Sequence, residues 1–247
     1  MHLIKKLKKS FENTAFANQL LKATRFLHFI KVTPEPLNLS SENCLLLCPH
    51  PDDETFGCGG LILKSPQNFH VVCITDGRSG GYNLTEEENQ AIRKKEFLQA
   101  MEFYGINSYN FLEIEDRRLI YNYEKFSSLE ISNYDLIFLP NYFDQHKDHK
   151  AVTVLLQKIL RNKNYKPSLK IVFYELWAPL PLINRILDIT PIINKKKEAI
   201  NIYKSQHKYL GFENGIIGLN QYRGMQVSVG YAEGYCLIDV ETFKKLK

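Results

Sequence analysis

The sequence predicts an α/β protein with a Rossmann-like, mostly parallel sheet and helices on both of its faces. Two observations support this fold class. Short, continuous apolar runs recur along the 247 residues, and such runs are typical of parallel strands that are covered on both faces. Segments with a helical spacing of apolar residues separate the runs, so strands and helices alternate as they do in βαβ units. We expect a single domain of this class, preceded by an N-terminal helical arm.

Five apolar runs, none longer than seven residues, predict the buried parallel strands. They are Cys44–Cys48, Phe69–Thr75, Tyr109–Ile114, Tyr134–Leu139 and Lys170–Glu175. Two later segments, Met225–Val229 and Tyr235–Asp239, predict further strands, which could run antiparallel to the others.

Two helices are predicted between these strands. The first extends from Thr85 to Tyr104 and opens with Thr85 and Glu88, which have the spacing of a capping box. The second follows His149, because apolar residues recur at helical spacing from position 151 to position 159.

The run Gly57-Cys58-Gly59-Gly60, after the first predicted strand, is as rich in glycine as a phosphate-binding loop. It lacks the G-x-G-x-x-G spacing and the lysine that such loops require. We therefore expect these glycines to allow close packing of a helix against a strand.

The net charge of +5 is concentrated at the N-terminus. Residues 1–31 contain seven basic residues and one acidic residue, whereas the rest of the chain contains 25 basic and 26 acidic residues. The basic isoelectric point therefore describes the arm rather than the whole protein. No nucleic-acid-binding motif or basic groove is evident elsewhere, so we expect no nucleic-acid partner.

We expect residues 1–42 to form a basic helical arm with a linker, and residues 43–247 to form the folded domain. Two interpretations of the predicted helix at 2–31 stay open. It could lie on an anionic membrane as a peripheral contact, or pack on the domain or on a second subunit of a homo-oligomer. Asn13 and Asn18 interrupt the apolar stripe, which favours packing.

The five cysteines include no Cys-x-x-Cys pair. This is not the pattern of a disulfide-stabilised secreted protein, and it suits a reducing compartment. No apolar stretch approaches the 18 residues of a membrane-spanning helix. We expect a cytoplasmic protein, with peripheral contact at the inner membrane face as the alternative.

Two polar clusters follow predicted strands at their carboxyl ends. Residues 49–54, with the sequence Pro-His-Pro-Asp-Asp-Glu, come directly after the first strand, and residues 144–149 come shortly after the fourth. In a sheet of this type, ligands bind beyond the carboxyl ends of the strands. The two clusters therefore predict one shared site.

The composition of the clusters predicts a metal site. Asp52, Asp53 and Glu54 are adjacent carboxylates, which repel each other unless a cation compensates their charge. Together with His50 they offer ligands that suit zinc or a related divalent ion. His149 would complete three protein ligands, the number typical of a catalytic zinc with one open position.

In these motifs the chain resembles the PIG-L/LmbE family of zinc-dependent N-acetylglucosaminyl deacetylases. The resemblance extends over roughly residues 43–240. It rests on His50-Pro51-Asp52-Asp53-Glu54 and Asp144-x-His146-x-Asp148-His149, with support from Thr75-Asp76-Gly77, Tyr174-Glu175-Leu176-Trp177, Asp188-Ile189-Thr190, Lys197 and Ser205-Gln206. The paired motifs in this order are more specific than either motif alone.

The resemblance implies the metal ligands and the general base. His50, Asp53 and His149 would bind Zn²⁺, with another divalent metal such as Fe²⁺ as the alternative. Asp52 would take a proton from the attacking water, because it neighbours a ligand without being one.

The resemblance also implies roles for the remaining polar residues. A positively charged His146 would stabilise the oxyanion, Asp148 would orient or charge His146, and Glu54 would support the metal ligands. The proton for the departing amine could come from Asp52 or from His146. Arg78 could hold a substrate hydroxyl or phosphate, or could be a solvated loop residue.

The implied function is that of a metal-dependent N-deacetylase acting on an N-acetylglucosamine-containing conjugate. Two alternatives stay open: an amidase for a larger acyl or thiol-conjugate amide, and a non-catalytic membrane-surface or partner-binding protein with the same fold. The complete set of His50, Asp52, Asp53, His146 and His149 favours catalysis.

Overall fold

The structure is a computed structural model that describes residues 33–81, 84–206 and 211–246. Its strands form one eight-stranded sheet. They are β1 (Glu35–Pro36), β2 (Cys44–Cys48), β3 (Phe69–Thr75), β4 (Tyr109–Ile114), β5 (Leu136–Pro140), β6 (Lys170–Tyr174), β7 (Arg185–Asp188) and β8 (Ala232–Asp239).

Helices cover both faces of this sheet. They are α1 (Asp53–Lys64), α2 (Glu86–Tyr104), α3 (Tyr123–Ser127), α4 (Lys147–Asn162), α5 (Ile193–Ile200), α6 (Phe212–Gln226) and α7 (Val240–Lys245), with single 3₁₀ turns at Pro66–Asn68, Leu119–Tyr121 and Thr190–Ile192. Phe56 of α1 and Phe97 of α2 belong to the core on one face, and Val152 of α4 and Phe243 of α7 belong to the core on the other. The predicted fold class is confirmed.

Strand β2 shows why the parallel strands read as continuous apolar runs. Cys44, Leu46 and Cys48 point into one core, whereas Leu45 and Leu47 point into the other. Because successive side chains alternate between faces, a strand covered on both sides needs an apolar residue at every position.

The strand order places a topological switch beside β2. The order is β1-β7-β8-β6-β5-β2-β3-β4, and only β8 runs antiparallel to its neighbours. After β2 the chain adds β3 and β4 on one side, and it then returns to place β5 and β6 on the other side. The carboxyl ends of β2 and β5 therefore flank a crevice of the kind that binds ligands in such sheets.

The predicted parallel strands agree closely with the observed ones. The first three have the predicted bounds, the fourth covers Leu136–Pro140, and the fifth ends at Tyr174. The capping box of α2 is confirmed, because Thr85 Oγ1 accepts a hydrogen bond from the Glu88 N–H and the Glu88 carboxylate accepts one from the Thr85 N–H.

The strand predicted at Met225–Val229 is wrong, because α6 continues to Gln226. Arg223 in the last turn of this helix is buried and pairs with Glu175, which holds the segment in the helix. The N–H groups of Val227 and Val229 then bond back to the carbonyl of Gly224 in a turn. The strand predicted at Tyr235–Asp239 forms the antiparallel β8, which starts earlier, at Ala232.

The linker that we expected before residue 43 contains a strand. Glu35–Pro36 pairs in parallel with Arg185–Ile186 of β7, and Leu37 is buried. The predictions for the arm at residues 2–31 fall outside the described part of the chain. Among the helices that the structure describes, none combines the length and apolarity needed to span a membrane.

Candidate active site

A cavity of about 400 Å³ opens at the carboxyl ends of β2 and β5. The turn after β2 supplies His50, Asp52 and Asp53, and the segment before α4 supplies His146. Both polar clusters that the sequence singled out therefore line one cavity. Its other lining residues are Ser79, Gly80, Arg93, Asp116, Arg117, Asp144, Gln145, Trp177, Ala178, Gln206 and Phe212.

Three candidate ligand atoms converge where α1 and α4 begin. Asp53 Oδ2 lies 3.4 Å from His50 Nδ1 and 3.3 Å from His149 Nε2, and these two nitrogens are 3.3 Å apart. Asp53 Oδ1 is buried and has no hydrogen-bond partner among the described residues. A buried carboxylate oxygen without a donor destabilises the fold unless a cation binds it.

Outer carboxylates orient the two imidazoles. Nε2 of His50 lies 3.3 Å from Asp116 Oδ1 and 3.4 Å from Asp148 Oδ2, and Nδ1 of His149 lies 2.9 Å from Asp144 Oδ2. A ring nitrogen beside a carboxylate carries the proton, because only an N–H can donate there. His50 Nδ1 and His149 Nε2 face Asp53 instead, and a metal ion bound there would take the place of their protons, as in metal sites whose histidines bond to a carboxylate on the far side.

The charges of the cluster also suit a cation. Burial opposes protonation of His50, but its contacts with Asp116 and other carboxylates raise its pKa well above the ordinary value. Burial likewise opposes protonation of His149, but Asp53 and Asp144 raise its pKa to about 9. The site thus stabilises positive charge, which a divalent ion would also supply. Two imidazoles and one carboxylate form a donor set that fits zinc.

His146 lies beside these ligands as the N-cap of α4. Its Nδ1 accepts a hydrogen bond from the Asp148 N–H at 3.3 Å, and its ring centroid is 4.6 Å from that of His50. Nitrogens of His50, His146 and His149 lie within 4.8 Å of one another, so His146 is near enough to be a ligand. Because its Nδ1 accepts, however, a neutral ring carries its proton on Nε2 and offers a donor there instead.

The charge that we expected on His146 is not supported. Burial lowers the pKa of this imidazole, and the positive charges of His50 and His149 lower it further. The neutral ring is therefore the favoured form near pH 7. Asp148 is also placed differently from the expectation, because its carboxylate contacts His50 Nε2 and the Arg117 N–H rather than the His146 ring.

Asp52 occupies a strained position at the start of α1. Its φ of 131° lies in a region that residues other than glycine rarely adopt, and strain of this kind costs about 1–3 kcal/mol. The side chain is buried, and its Oδ2 accepts a hydrogen bond from Arg93 at 3.0 Å. Burial raises the pKa of Asp52 to about 8, although the Arg93 charge opposes this effect.

Glu54 holds the turn in which Asp52 lies. Its carboxylate accepts hydrogen bonds from the Asp52 N–H at 3.2 Å, from the Thr55 hydroxyl at 2.7 Å and from the Tyr203 hydroxyl at 2.5 Å. The fully buried Glu54 therefore bonds to the backbone beside the candidate metal ligands rather than lining the cavity.

Arg78 does not line the cavity. Its guanidinium pairs with Asp76, with Nη2 and Oδ2 2.6 Å apart, and its Nη1 lies 3.9 Å from Glu86. Arg117, which we did not single out, lines the cavity instead and has an exposed side chain. Its φ of 67° is also positive.

Sequence reasoning also missed Arg93, Asp116 and Tyr203 as site residues. Asp116 comes two residues after β4, so the strand-end argument that found the other clusters could have found it. Arg93 lies in the middle of α2 and Tyr203 follows α5. Neither position carries a local signal, because their contacts with the site exist only in the folded chain.

Comparison with protein families identifies the PIG-L family, described as GlcNAc-PI de-N-acetylase, over residues 45–160. The resemblance drawn from the motifs is therefore confirmed. A probable N-acetyl-alpha-D-glucosaminyl L-malate deacetylase 2 from Bacillus anthracis is 28% identical over 193 residues, which cover 68% of this chain and 82% of the relative.

Two solved structures of different enzymes share this fold. N,N'-diacetylchitobiose deacetylase from Pyrococcus horikoshii superposes with a TM-score of 0.67 at 23% identity, covering 92% of this chain and 94% of its own. The 4-carboxy-2-hydroxymuconate hydratase from Pseudomonas putida has a TM-score of 0.63 at 20% identity, covering 80% and 96%. Since a hydratase shares the architecture, the fold by itself does not decide the reaction.

Proposed function

From the premise that residues 45–160 carry the PIG-L family match, we propose that this protein is a metal-dependent N-deacetylase of an N-acetylglucosamine-containing conjugate. The observation that carries the proposal is the convergence of His50 Nδ1, His149 Nε2 and Asp53 Oδ2 within 3.4 Å of one another, beside the buried carboxylate of Asp52. The names of the relatives, which include deacetylases of two different N-acetylglucosamine conjugates, support the substrate class.

His50, Asp53 and His149 would hold the metal ion. Zn²⁺ is the ion that we propose, and Fe²⁺ is the alternative, because imidazole nitrogens suit both. A divalent ion bound there supplies Lewis-acid chemistry, in which it acidifies a water molecule and polarises the acetamide carbonyl. Asp116 and Asp144 keep the two imidazoles in the orientation that this binding needs.

Asp52 is the proposed general base. Its side chain lines the cavity and is held by Arg93. A divalent ion bound at the adjacent Asp53 would oppose the effect of burial and favour the ionised form of Asp52, which can accept the proton of the attacking water at Oδ1 or Oδ2. The same carboxylic acid can then deliver this proton to the departing amine nitrogen. One residue thus mediates both proton transfers to and from the reacting groups. The second proton of the water stays on acetic acid, which ionises to acetate in solution, and the other product is the free amino sugar.

His146 is the proposed donor to the oxyanion. With Nδ1 engaged by the Asp148 N–H, the neutral ring can donate from Nε2 toward the carbonyl oxygen as charge develops on it. This role does not need the imidazolium form that we expected from the sequence.

Acetate release tests the proposal. The full-length protein, loaded with zinc, is incubated with the methyl glycoside of N-acetylglucosamine, its α-linked malate conjugate and N,N'-diacetylchitobiose. We expect equimolar acetate and free amine from at least one of these substrates. A metal-replete protein that releases acetate from none of them, but cleaves an N-octanoyl glucosaminide, would instead be an amidase for larger acyl groups.

A further inference from the structure

An apolar groove along α6 adjoins the candidate catalytic cavity. It encloses about 270 Å³, and the cavity and the groove share Trp177 and Phe212. Every described residue that lines the groove is apolar, proline or glycine. Besides the two shared aromatic residues, the lining consists of Leu176, Pro179, Gly211, Gly215, Ile216 and Leu219. The groove therefore borders the polar cavity, and the side chains of Trp177 and Phe212 belong to both.

Aromatic packing fixes the two side chains that the cavity and the groove share. The Trp177 ring centroid lies 4.7 Å from that of Phe212 and 6.3 Å from that of Phe56, with Phe56 itself fully buried. Trp177 nevertheless remains 41% exposed. The indole is thus held in place by packing on the core, and its exposed part is available to a ligand, as in preformed apolar binding sites.

Gly215 leaves the groove open at α6. A Cβ atom at this position would meet nothing within 4 Å, so neither packing nor a positive φ requires glycine here. Glycine also disfavours a helix relative to alanine. Gly218, one turn further on, has the same free space but does not line the groove.

We propose that this groove binds an apolar aglycone of the substrate, an inference that rests on the proposed deacetylase activity. The acyl group of that reaction is acetyl, which is too short to extend from the His and Asp cluster into the groove. The aglycone is attached to C1, the carbon next to the C2 that bears the acetamide, so it must leave the cavity close to the reacting group. A charged aglycone would lose its hydration in this groove and gain no partner.

Two glycosides and two matched variants test the groove. The full-length, zinc-loaded protein is assayed with the methyl and the n-hexyl glycosides of N-acetylglucosamine, both of the same anomeric configuration. We expect kcat/KM to be about tenfold or more higher for the hexyl compound, since a few buried methylenes contribute at least this much. Gly215→Leu should fill the groove and so abolish the preference for the hexyl over the methyl glycoside. Gly218→Leu should keep both rates.

Several outcomes would overturn the inference. Equal kcat/KM for the two glycosides, or a hexyl preference that survives Gly215→Leu, would exclude the groove as the aglycone site. A preference for N-hexanoyl over N-acetyl substrates that Gly215→Leu removes would assign the groove to the acyl group. A change of oligomeric state in Gly215→Leu without any change in selectivity would assign it to a second copy of the chain.

A binding measurement separates this inference from the proposed function. Calorimetry with n-hexyl glucosaminide, the amine product, reports on the groove even if no acetate is released. Binding by the wild type and by Gly218→Leu, lost in Gly215→Leu, supports the groove under either outcome of the acetate assay. No binding by the wild type would overturn the inference and would leave the deacetylase assay to stand by itself.

Discussion

The guanidinium of Arg93 lies 3.0 Å from the carboxylate of Asp52, and it connects the middle of α2 to the strained turn after β2. The same side chain donates to the carbonyls of Pro51 at 2.9 Å and Gly77 at 3.1 Å. Arg93 is itself buried. It therefore fixes both the backbone beside the candidate base and the direction in which that carboxylate points.

Replacing Arg93 should impair catalysis more than metal binding. In Arg93→Met the candidate metal ligands keep their contacts, but Asp52 loses its guanidinium partner. We therefore expect kcat to fall about 10- to 100-fold, which is the effect of a small misplacement of a catalytic group. Arg93→Lys should recover part of the loss, because it restores the charge without the planar fork. The exposed Arg118 offers a control, and Arg118→Met should leave kcat unchanged.

Zinc content, measured on the same preparations, gives this prediction its second readout. An Arg93→Met protein that has lost its zinc would show that Arg93 acts through the metal site and not through Asp52.

Removing His149 should abolish metal binding. The wild-type protein should gain thermal stability on zinc addition, because an ion that binds only the folded state at about 100 times its Kd contributes about 2.7 kcal/mol. For a chain of this size that is a rise in Tm of roughly 5–10 °C. His149→Ala should show no rise and no bound zinc by elemental analysis.

His70 provides the matched control for this substitution. It lies on β3, where its Nδ1 is 2.7 Å from the Ser108 hydroxyl. His70→Ala should therefore keep the full zinc-dependent shift. Stoichiometric zinc in His149→Ala would remove His149 from the ligand set.

We expect close packing to require glycine at position 57, in agreement with the interpretation of the glycine-rich run after β2. A Cβ atom at Gly57 would lie 2.3 Å from Cδ2 of the buried Tyr174 ring, whereas one at Gly218 would meet nothing within 4 Å. We expect Gly57→Ala to lower the free energy of unfolding by about 1–3 kcal/mol, and Gly218→Ala to raise it by about 0.5–1 kcal/mol. Urea unfolding measures both, and a neutral Gly57→Ala would contradict the close contact.

Much of this architecture was predictable because local patterns specify it. The strands that begin at Cys44 and Phe69 have the predicted bounds, because a strand covered on both faces needs apolar residues at nearly every position. The prediction of one shared site for His50 and His149 rested on the carboxyl ends of parallel strands, which lie at one edge of a sheet. These inferences needed no knowledge of long-range contacts.

The remaining features depend on contacts that no local pattern records. Arg223 keeps its segment helical through Glu175, 48 residues away, so the predicted strand there failed. The charge of His146 depends first on its burial and then on the nearby imidazoles, of which His50 comes from the distant turn after β2. For Arg78 the sequence left two roles open, and in the structure its guanidinium pairs with Asp76 and does not line the cavity.

The most direct test of the account compares acetate release and zinc content in Asp52→Asn and the wild type. Asparagine keeps the shape of the side chain but cannot accept a proton from water, and loss of a general base typically costs about 10²–10⁴ in rate. We expect Asp52→Asn to bind zinc as the wild type does while its kcat for acetate release falls by that factor. An Asp52→Asn protein that releases acetate at the wild-type rate would contradict the mechanism proposed for this site.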